Sequence, residues 1–156
     1  MGVGPSTKET SLHHFRDPLL NVLSEDTDLD LAGIIIVGTP QDNVEKERVG
    51  QRAAQILEAM RVEGCIVSCD GWGNSHVDYA NTFEEIGSRG IPVVGVTFNG
   101  TVGKFVVSNK YMDTIVDMSK SKDGTETEVV GENAIDTTDA RKAVAFLKIK
   151  MRKAQK

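Results

Sequence analysis

Short apolar runs alternate with amphipathic stretches along most of the chain. Residues 31–37, 65–69 and 91–98 are mainly apolar, which is typical of strands buried on both faces of a parallel sheet. Apolar residues recur at helical spacing over residues 44–62, and a second helix is predicted near residues 79–88. Because strands alternate with helices, the pattern predicts parallel βαβ units with right-handed crossovers.

The beginning of the chain has a different character. Residues 1–9 are rich in small and turn-forming types, and we predict an extended arm before a single α/β domain at residues 10–156. A helix is predicted over residues 12–23, with Thr10 or Ser11 as its cap. Pro18 lies in its middle, so this helix is expected to be kinked or broken in two.

The second half is less regular until its last helix. Residues 102–107 and 114–118 are candidates for further strands, and the polar stretch 119–131 predicts a surface loop or hairpin. Beyond it, Thr138 can cap a final amphipathic helix. The whole pattern therefore predicts an open, mostly parallel sheet of about five strands with helices on both faces.

Composition and charge exclude several classes of protein. The 156 residues match one ordinary domain, and the net charge of −5 would repel a phosphate backbone, so nucleic acid is not an expected partner. No apolar stretch reaches the roughly 20 residues that span a bilayer, and the N-terminus lacks an apolar signal core. We expect a cytoplasmic protein without a membrane partner.

The chain contains two cysteines, Cys65 and Cys69. In one strand their Cα atoms would be about 13 Å apart, too far for a mutual disulfide. The simplest interpretation is that both are small buried side chains, although their exchange with other thiols stays open.

Candidate chemistry concentrates in the loops that follow the predicted strands, where parallel sheets bind ligands. His76 can act as a general acid or base near neutral pH, with a carboxylate to orient it or to bind an amine. The alternative is a helix-capping turn with a structural histidine. The predicted substrate pocket comprises Asp70, Trp72, Asn74, His76, Asp78, Thr39 and Asn99, without an assigned catalytic residue.

Metal and nucleotide sites have weaker support. His13, His14 and Asp17 lack the spacing for three ligands, since adjacent helical residues point in different directions, and we predict no metal site. No phosphate-binding glycine motif follows a predicted strand. The glycines around Lys104 are more typical of a turn.

Five blocks together carry a family resemblance: GVGPSTKETSLHHF at residues 2–15, IVGTP at 36–40, DGWGN at 70–74, RGIPVVG at 89–95 and NKYM at 109–112. They resemble the D-proline reductase proprotein family, and more loosely the glycine, sarcosine and betaine reductase proproteins. The resemblance extends through nearly the whole chain. It implies a cytoplasmic complex of amino-acid-fermenting anaerobes that carries out Stickland-type reduction.

In that family, a proprotein cleaves itself at a cysteine to leave a pyruvoyl group, and a partner subunit carries selenocysteine. The pyruvoyl carbonyl captures D-proline, and the selenolate supports reductive ring opening to 5-aminovalerate. Here both cysteines lie in a predicted core strand, so we do not expect self-processing. The chain, which starts just before the first matching block, is expected to be a short homologue that binds no cofactor itself, with the pyruvoyl group and selenocysteine on partner subunits.

Three functions follow from these observations. The first is an accessory or structural subunit that assembles with the pyruvoyl-bearing and selenocysteine-bearing proline reductase subunits, or with copies of itself. The second is direct participation in D-proline reduction through a pocket shared with a partner subunit. The third is a small-molecule-binding α/β module.

Overall fold

The computed structural model describes residues 17–69, 74–98, 105–122 and 135–155. These ranges contain four helices and three strands. In chain order they are α1 (Pro18–Ser24), α2 (Asn43–Ala59), β1 (Cys65–Cys69), α3 (Asn74–Ser88), β2 (Val93–Thr97), β3 (Ile115–Asp117) and α4 (Thr137–Ala154).

The three strands form one parallel sheet in the order β1-β2-β3. Cys65 pairs with Val93 at the start of β1, and Gly95 pairs with Ile115 at the start of β3. All five residues of β2 are buried, as expected for a central strand covered on both faces. The parallel α/β class predicted from the alternating pattern is confirmed.

Helices cover both faces of the sheet. On one face, α1 and α4 pack over a core that includes Val94, Val96 and Ala143. On the other face, α2 and α3 lie side by side, and Phe83 and Ile86 of α3 fill a second core with the sheet. The prediction of helices on both faces is therefore confirmed.

Local capping explains where the helices begin. Pro18 is the first residue of α1, where its missing N–H costs nothing, and the Asp17 side chain accepts a hydrogen bond from Leu19 N at 2.9 Å. At α4, Asp136 and Asp139 form a reciprocal capping box. The expected cap Thr138 lies inside α4, because the Asp136 carboxylate satisfies the first orphan N–H groups instead.

The prediction of about five strands is wrong for the described residues, which form three. Residues 31–37 do not form a strand, and Ile34 and Ile36 are 61% and 74% exposed. Their backbone lacks the paired neighbour that a strand requires, because a groove separates this segment from β1. Residues 105–107 form no strand either, whereas the predicted strand near residues 114–118 is present as β3.

Two further predictions fall wholly or mostly outside the described residues. The arm at residues 1–9 lies outside the described ranges, as does most of the predicted loop 119–131. Helix α3 begins at Asn74 rather than near residue 79, because polar residues of its first turns are buried against α2. Among the described helices, none has the length and apolarity to cross a membrane.

Candidate functional site

A row of polar side chains crosses the carboxyl ends of the three strands. Cys69, Thr97 and Asp117 are register partners in β1, β2 and β3. Val94 and Val96 face the core beneath α4, so Thr97, one residue further along β2, faces α2 and α3. This edge of a parallel sheet is where ligands bind, because helix N-termini converge there. We call these three residues the strand-end row.

Tyr79 of α3 packs against the same face of the sheet. Its side chain is buried, its ring contacts Phe83 at a centroid distance of 5.0 Å, and it stacks on Phe105 at 6.1 Å. The hydroxyl lies directly over Gly95, where a Cβ atom would overlap with it. The glycine therefore leaves the space that the tyrosine hydroxyl occupies, two residues before Thr97.

The environment of Tyr79 determines which proton chemistry it can perform. Burial raises the pKa of Tyr79 well above its ordinary value, and the negative charge that Cys69 would carry as a thiolate raises it further. At neutral pH the phenol therefore keeps its proton, so it can donate a hydrogen bond and cannot serve as a general base.

Two hydroxyls at this site are buried without hydrogen-bond partners in the described part of the chain. They are Tyr79 Oη and Thr97 Oγ1, on residues that are 3% and 0% exposed. A buried hydroxyl without a partner costs free energy, so each of these two groups is available to an ordered water, a ligand or another chain. They are two available hydrogen-bonding groups, Thr97 Oγ1 in the strand-end row and Tyr79 Oη next to it.

A buried ion pair joins the first turns of α2 and α3. Lys46 Nζ lies 2.5 Å from Asp78 Oδ2, and the two side chains are 2% and 7% exposed. Buried charges are stable only when they are paired, so this contact fixes the two helices relative to each other. Asp78 Oδ1 has no hydrogen-bond partner among the described residues, so the carboxylate can accept one further donor.

His76 lies on α3 one turn before Tyr79. Its imidazole is 1% exposed, and its ring centroid is 4.8 Å from that of Phe105. The same phenylalanine therefore contacts both His76 and Tyr79. Because the imidazole is buried, a substrate can reach it only if the side chains around it move.

An apolar groove of about 470 Å³ follows the outer edge of β1 and reaches this polar region. Thr39, Ser75, Asp78 and Tyr79 are among the residues that line it, and Cys69 lines it at the end of β1. The groove is the route by which a small molecule or an apolar segment could approach the Asp78 carboxylate.

The predicted pocket residues do not all meet at one place. His76 and Asp78 lie in the buried part of α3, whereas Asn74 is exposed and donates from Nδ2 to Gln41 Oε1 at 3.3 Å. Thr39 is exposed at the groove. Asp70, Trp72 and Asn99 lie outside the described residues, so their place in the pocket stays a prediction.

Several residues of the site were missed by reasoning from the loops alone. Lys46 and Tyr79 lie in predicted helices, and neither of them was assigned to the site from the sequence. Thr97 and Asp117 lie one residue before the ends of predicted strands, so the rule that ligands bind at the carboxyl ends of parallel strands could have identified them. No sequence signal indicated that Phe105 would contact His76.

Both cysteines lie in β1, four residues apart in one extended strand, which confirms that they cannot bridge each other. Burial raises the pKa of the Cys65 thiol to about 12, so this cysteine is a poor nucleophile at neutral pH. Within the described ranges, no group of three His, Cys, Asp or Glu side chains could hold a metal ion.

Comparisons with known proteins relate the chain to subunits of amino-acid reductases. The family model of glycine/sarcosine/betaine reductase component B subunits matches residues 2–138. The D-proline reductase proprotein PrdA of Acetoanaerobium sticklandii is 45% identical over 146 residues, which cover 94% of this chain and 23% of that protein. The sarcosine reductase complex component B subunit alpha of Peptoclostridium acidaminophilum is 27% identical over 106 residues, or 65% of this chain and 25% of that protein.

The chain spans about a quarter of the length of these curated relatives. No solved structure matches significantly. The resemblance to the D-proline reductase proprotein family is confirmed.

Proposed function

Because the chain belongs to the family of glycine/sarcosine/betaine reductase component B subunits, we propose that it is an accessory or structural subunit of a D-proline reductase system. The observation that carries the assignment to a D-proline reductase system is the 45% identity to the D-proline reductase proprotein across 94% of the chain. The similarity to the sarcosine reductase subunit is lower and covers less of the chain, which favours the D-proline branch of the family.

The positions of the cysteines support a subunit without its own pyruvoyl group. Cys65 and Cys69 are the only cysteines of the chain, and both belong to β1, which pairs with the central strand β2. Cleavage before Cys65 would break the chain at the start of β1, and cleavage before Cys69 would break it inside the strand. The residues present therefore do not fit a pyruvoyl group made from this chain, and the group would be supplied by a partner subunit.

The test begins with the intact mass of the purified chain. We expect a single mass that corresponds to the uncleaved sequence, and co-purification with the pyruvoyl-bearing and selenocysteine-bearing proline reductase subunits. D-proline reduction should be measured with and without the chain. Two fragments with a carbonyl-reactive terminus would contradict the proposal, as would failure of the uncleaved chain to join the complex.

A second candidate function is direct participation in D-proline reduction through a pocket shared with a partner. It is favoured by the buried, unpartnered atoms Asp78 Oδ1, Tyr79 Oη and Thr97 Oγ1 near the groove. These groups could hold the polar atoms of a substrate whose reacting carbon lies on the partner subunit. No group of this chain is assigned to the chemical step.

The variant Tyr79→Phe separates the two candidates because it removes one oxygen atom and keeps the ring. If the pocket participates, turnover of the complex should fall at least about tenfold, as expected for a lost hydrogen bond worth about 1.4 kcal/mol. Tyr111→Phe is a matched control in the second core, away from the strand-end row. Unchanged turnover for both variants in an intact complex would favour the accessory function.

A further inference from the structure

The groove beside β1 lies where one more strand of the sheet would pack. Leu20 and Leu23 of α1 line it from the layer on one face of the sheet, and Leu57 and Met60 of the α2 region line it from the layer on the other. Apolar side chains from both layers thus extend past the outer edge of β1. A strand buried on both faces of a parallel sheet requires this arrangement.

The backbone of β1 presents hydrogen-bonding groups to this groove. Cys65 N donates to Pro92 O at 2.9 Å, so the N–H groups of Cys65 and Val67 point towards β2. The N–H groups of Ile66 and Ser68 therefore point the other way, to the outer edge, where no described strand pairs with β1. A strand docked there would satisfy them.

Residues 31–37 form the opposite wall of the groove and have the composition of a buried strand. Ile34 and Ile36 are nevertheless mostly exposed. The segment lies close to the groove, since a Cβ on Gly33 would be 3.6 Å from Met60 Cε, which lines it. Ile34 and Ile36 gain by burial in the groove, since each buried apolar side chain is stabilising.

The connection through α2 places this segment at the correct edge. Helix α3 connects β1 to β2, and α2 lies beside it on the same face of the sheet. Crossovers between parallel strands are right-handed. Two crossover helices on the same face of a sheet therefore require that the strands they connect lie across the sheet in the order of the sequence. A strand that precedes α2 therefore belongs next to β1, on the side away from β2.

We propose that residues 31–37 dock on the outer edge of β1 as a fourth parallel strand and close the groove over Asp78 and Tyr79. The structure shows the segment in its undocked position. Docking buries Ile34 and Ile36, satisfies the outer N–H groups of β1 and shuts the route to the Asp78 carboxylate. We call residues 31–37 the strap.

Residue-resolved amide hydrogen exchange on the full chain tests this proposal. We expect the amides of Ile66 and Ser68 to exchange on the order of 100-fold or more slowly than those of an open loop. Val67 is an internal control, because its N–H points to β2 in either position of the strap. Fast exchange at Ile66 and Ser68 beside a protected Val67 would overturn the proposal.

The variant Ile36→Asp tests whether residues 31–37 are the segment that docks on β1. Docking should bury this position, so the variant should expose Ile66 and Ser68 to exchange and lower the melting temperature by roughly 5 °C or more. Val106→Asp is the matched control, because Val106 is 66% exposed and does not line the groove. Equal, small effects of both variants would contradict docking, and so would protection that appears only when another protein is added.

Discussion

Removing the positive charge of Lys46 should destabilise the fold far more than removing any exposed lysine or arginine. The ammonium lies 2.5 Å from Asp78 Oδ2, and both side chains are nearly inaccessible to water. The variant Lys46→Met keeps most of the length of the side chain and deletes its charge. The Asp78 carboxylate would then be buried between α2 and α3 without its counter-ion.

The size of the effect follows from this geometry. At 2.5 Å, two unit charges attract by about 7 kcal/mol at an effective dielectric constant of about 20. Desolvation of the two ions offsets much of this attraction, so the pair adds little net stability compared with apolar residues. Loss of one partner leaves the desolvation cost of the other, and we expect about 3–5 kcal/mol of destabilisation.

Urea unfolding followed by circular dichroism measures this change. For a domain of this size, the melting temperature should also fall by roughly 10 °C. The double variant Lys46→Met/Asp78→Leu should recover most of the loss, because it removes both buried charges. Arg48→Met is the matched control, since its ion pair with Glu45 is exposed and should contribute less than about 1 kcal/mol.

Two results would refute this reasoning. If Lys46→Met costs no more than Arg48→Met, the Lys46–Asp78 contact is not buried in solution. If the double variant is as unstable as the single variant, the loss comes from packing of the Lys46 side chain rather than from an unpaired charge.

Two further predictions concern ionisable groups. The backbone N–H of Asp139 holds the pKa of the Asp136 carboxyl below its ordinary value, so its contribution to stability is present above about pH 4 and is lost as the pH falls through the lower folded pKa. Asp136→Asn should therefore reduce the loss of unfolding free energy between pH 5 and strongly acidic solution. An equal loss in the variant and in the unaltered protein would contradict this. Burial raises the pKa of Cys65 to about 12, so iodoacetamide at about pH 8 should leave it unmodified until the protein is unfolded. Peptide masses after alkylation check this, and labelling of the native chain would count against it.

The elements with strong local signals were predicted closely from the sequence. The strand at residues 65–69 is β1, and the run at residues 91–98 contains β2. The helix predicted over residues 44–62 is α2, which ends at Ala59, shortly before Arg61 adopts a φ of 56°. Periodicity and chain-breaking residues are local properties, so they carry this information without knowledge of the fold.

Residues 31–37 show the limit of such signals. Their apolar, β-branched pattern is that of a buried strand, but a strand exists only when a neighbouring backbone pairs with it. That neighbour, β1, lies beyond α2 in sequence, and the structure leaves the groove between them open. The sequence thus determined the capacity of the segment to form a strand, whereas its docking depends on a non-local contact.

The candidate site also has features that the sequence determined locally and features that depend on non-local contacts. The sequence by itself determined the family, the parallel α/β class, and the segment after β1 that carries His76 and Asp78, although it placed both residues in a loop rather than in α3. Only the tertiary structure paired Asp78 with Lys46, 32 residues away, and aligned Cys69, Thr97 and Asp117 across three strands. The reason is physical: hydrophobic periodicity fixes which face of an element is buried, whereas strand register and helix packing fix which polar groups share that buried space.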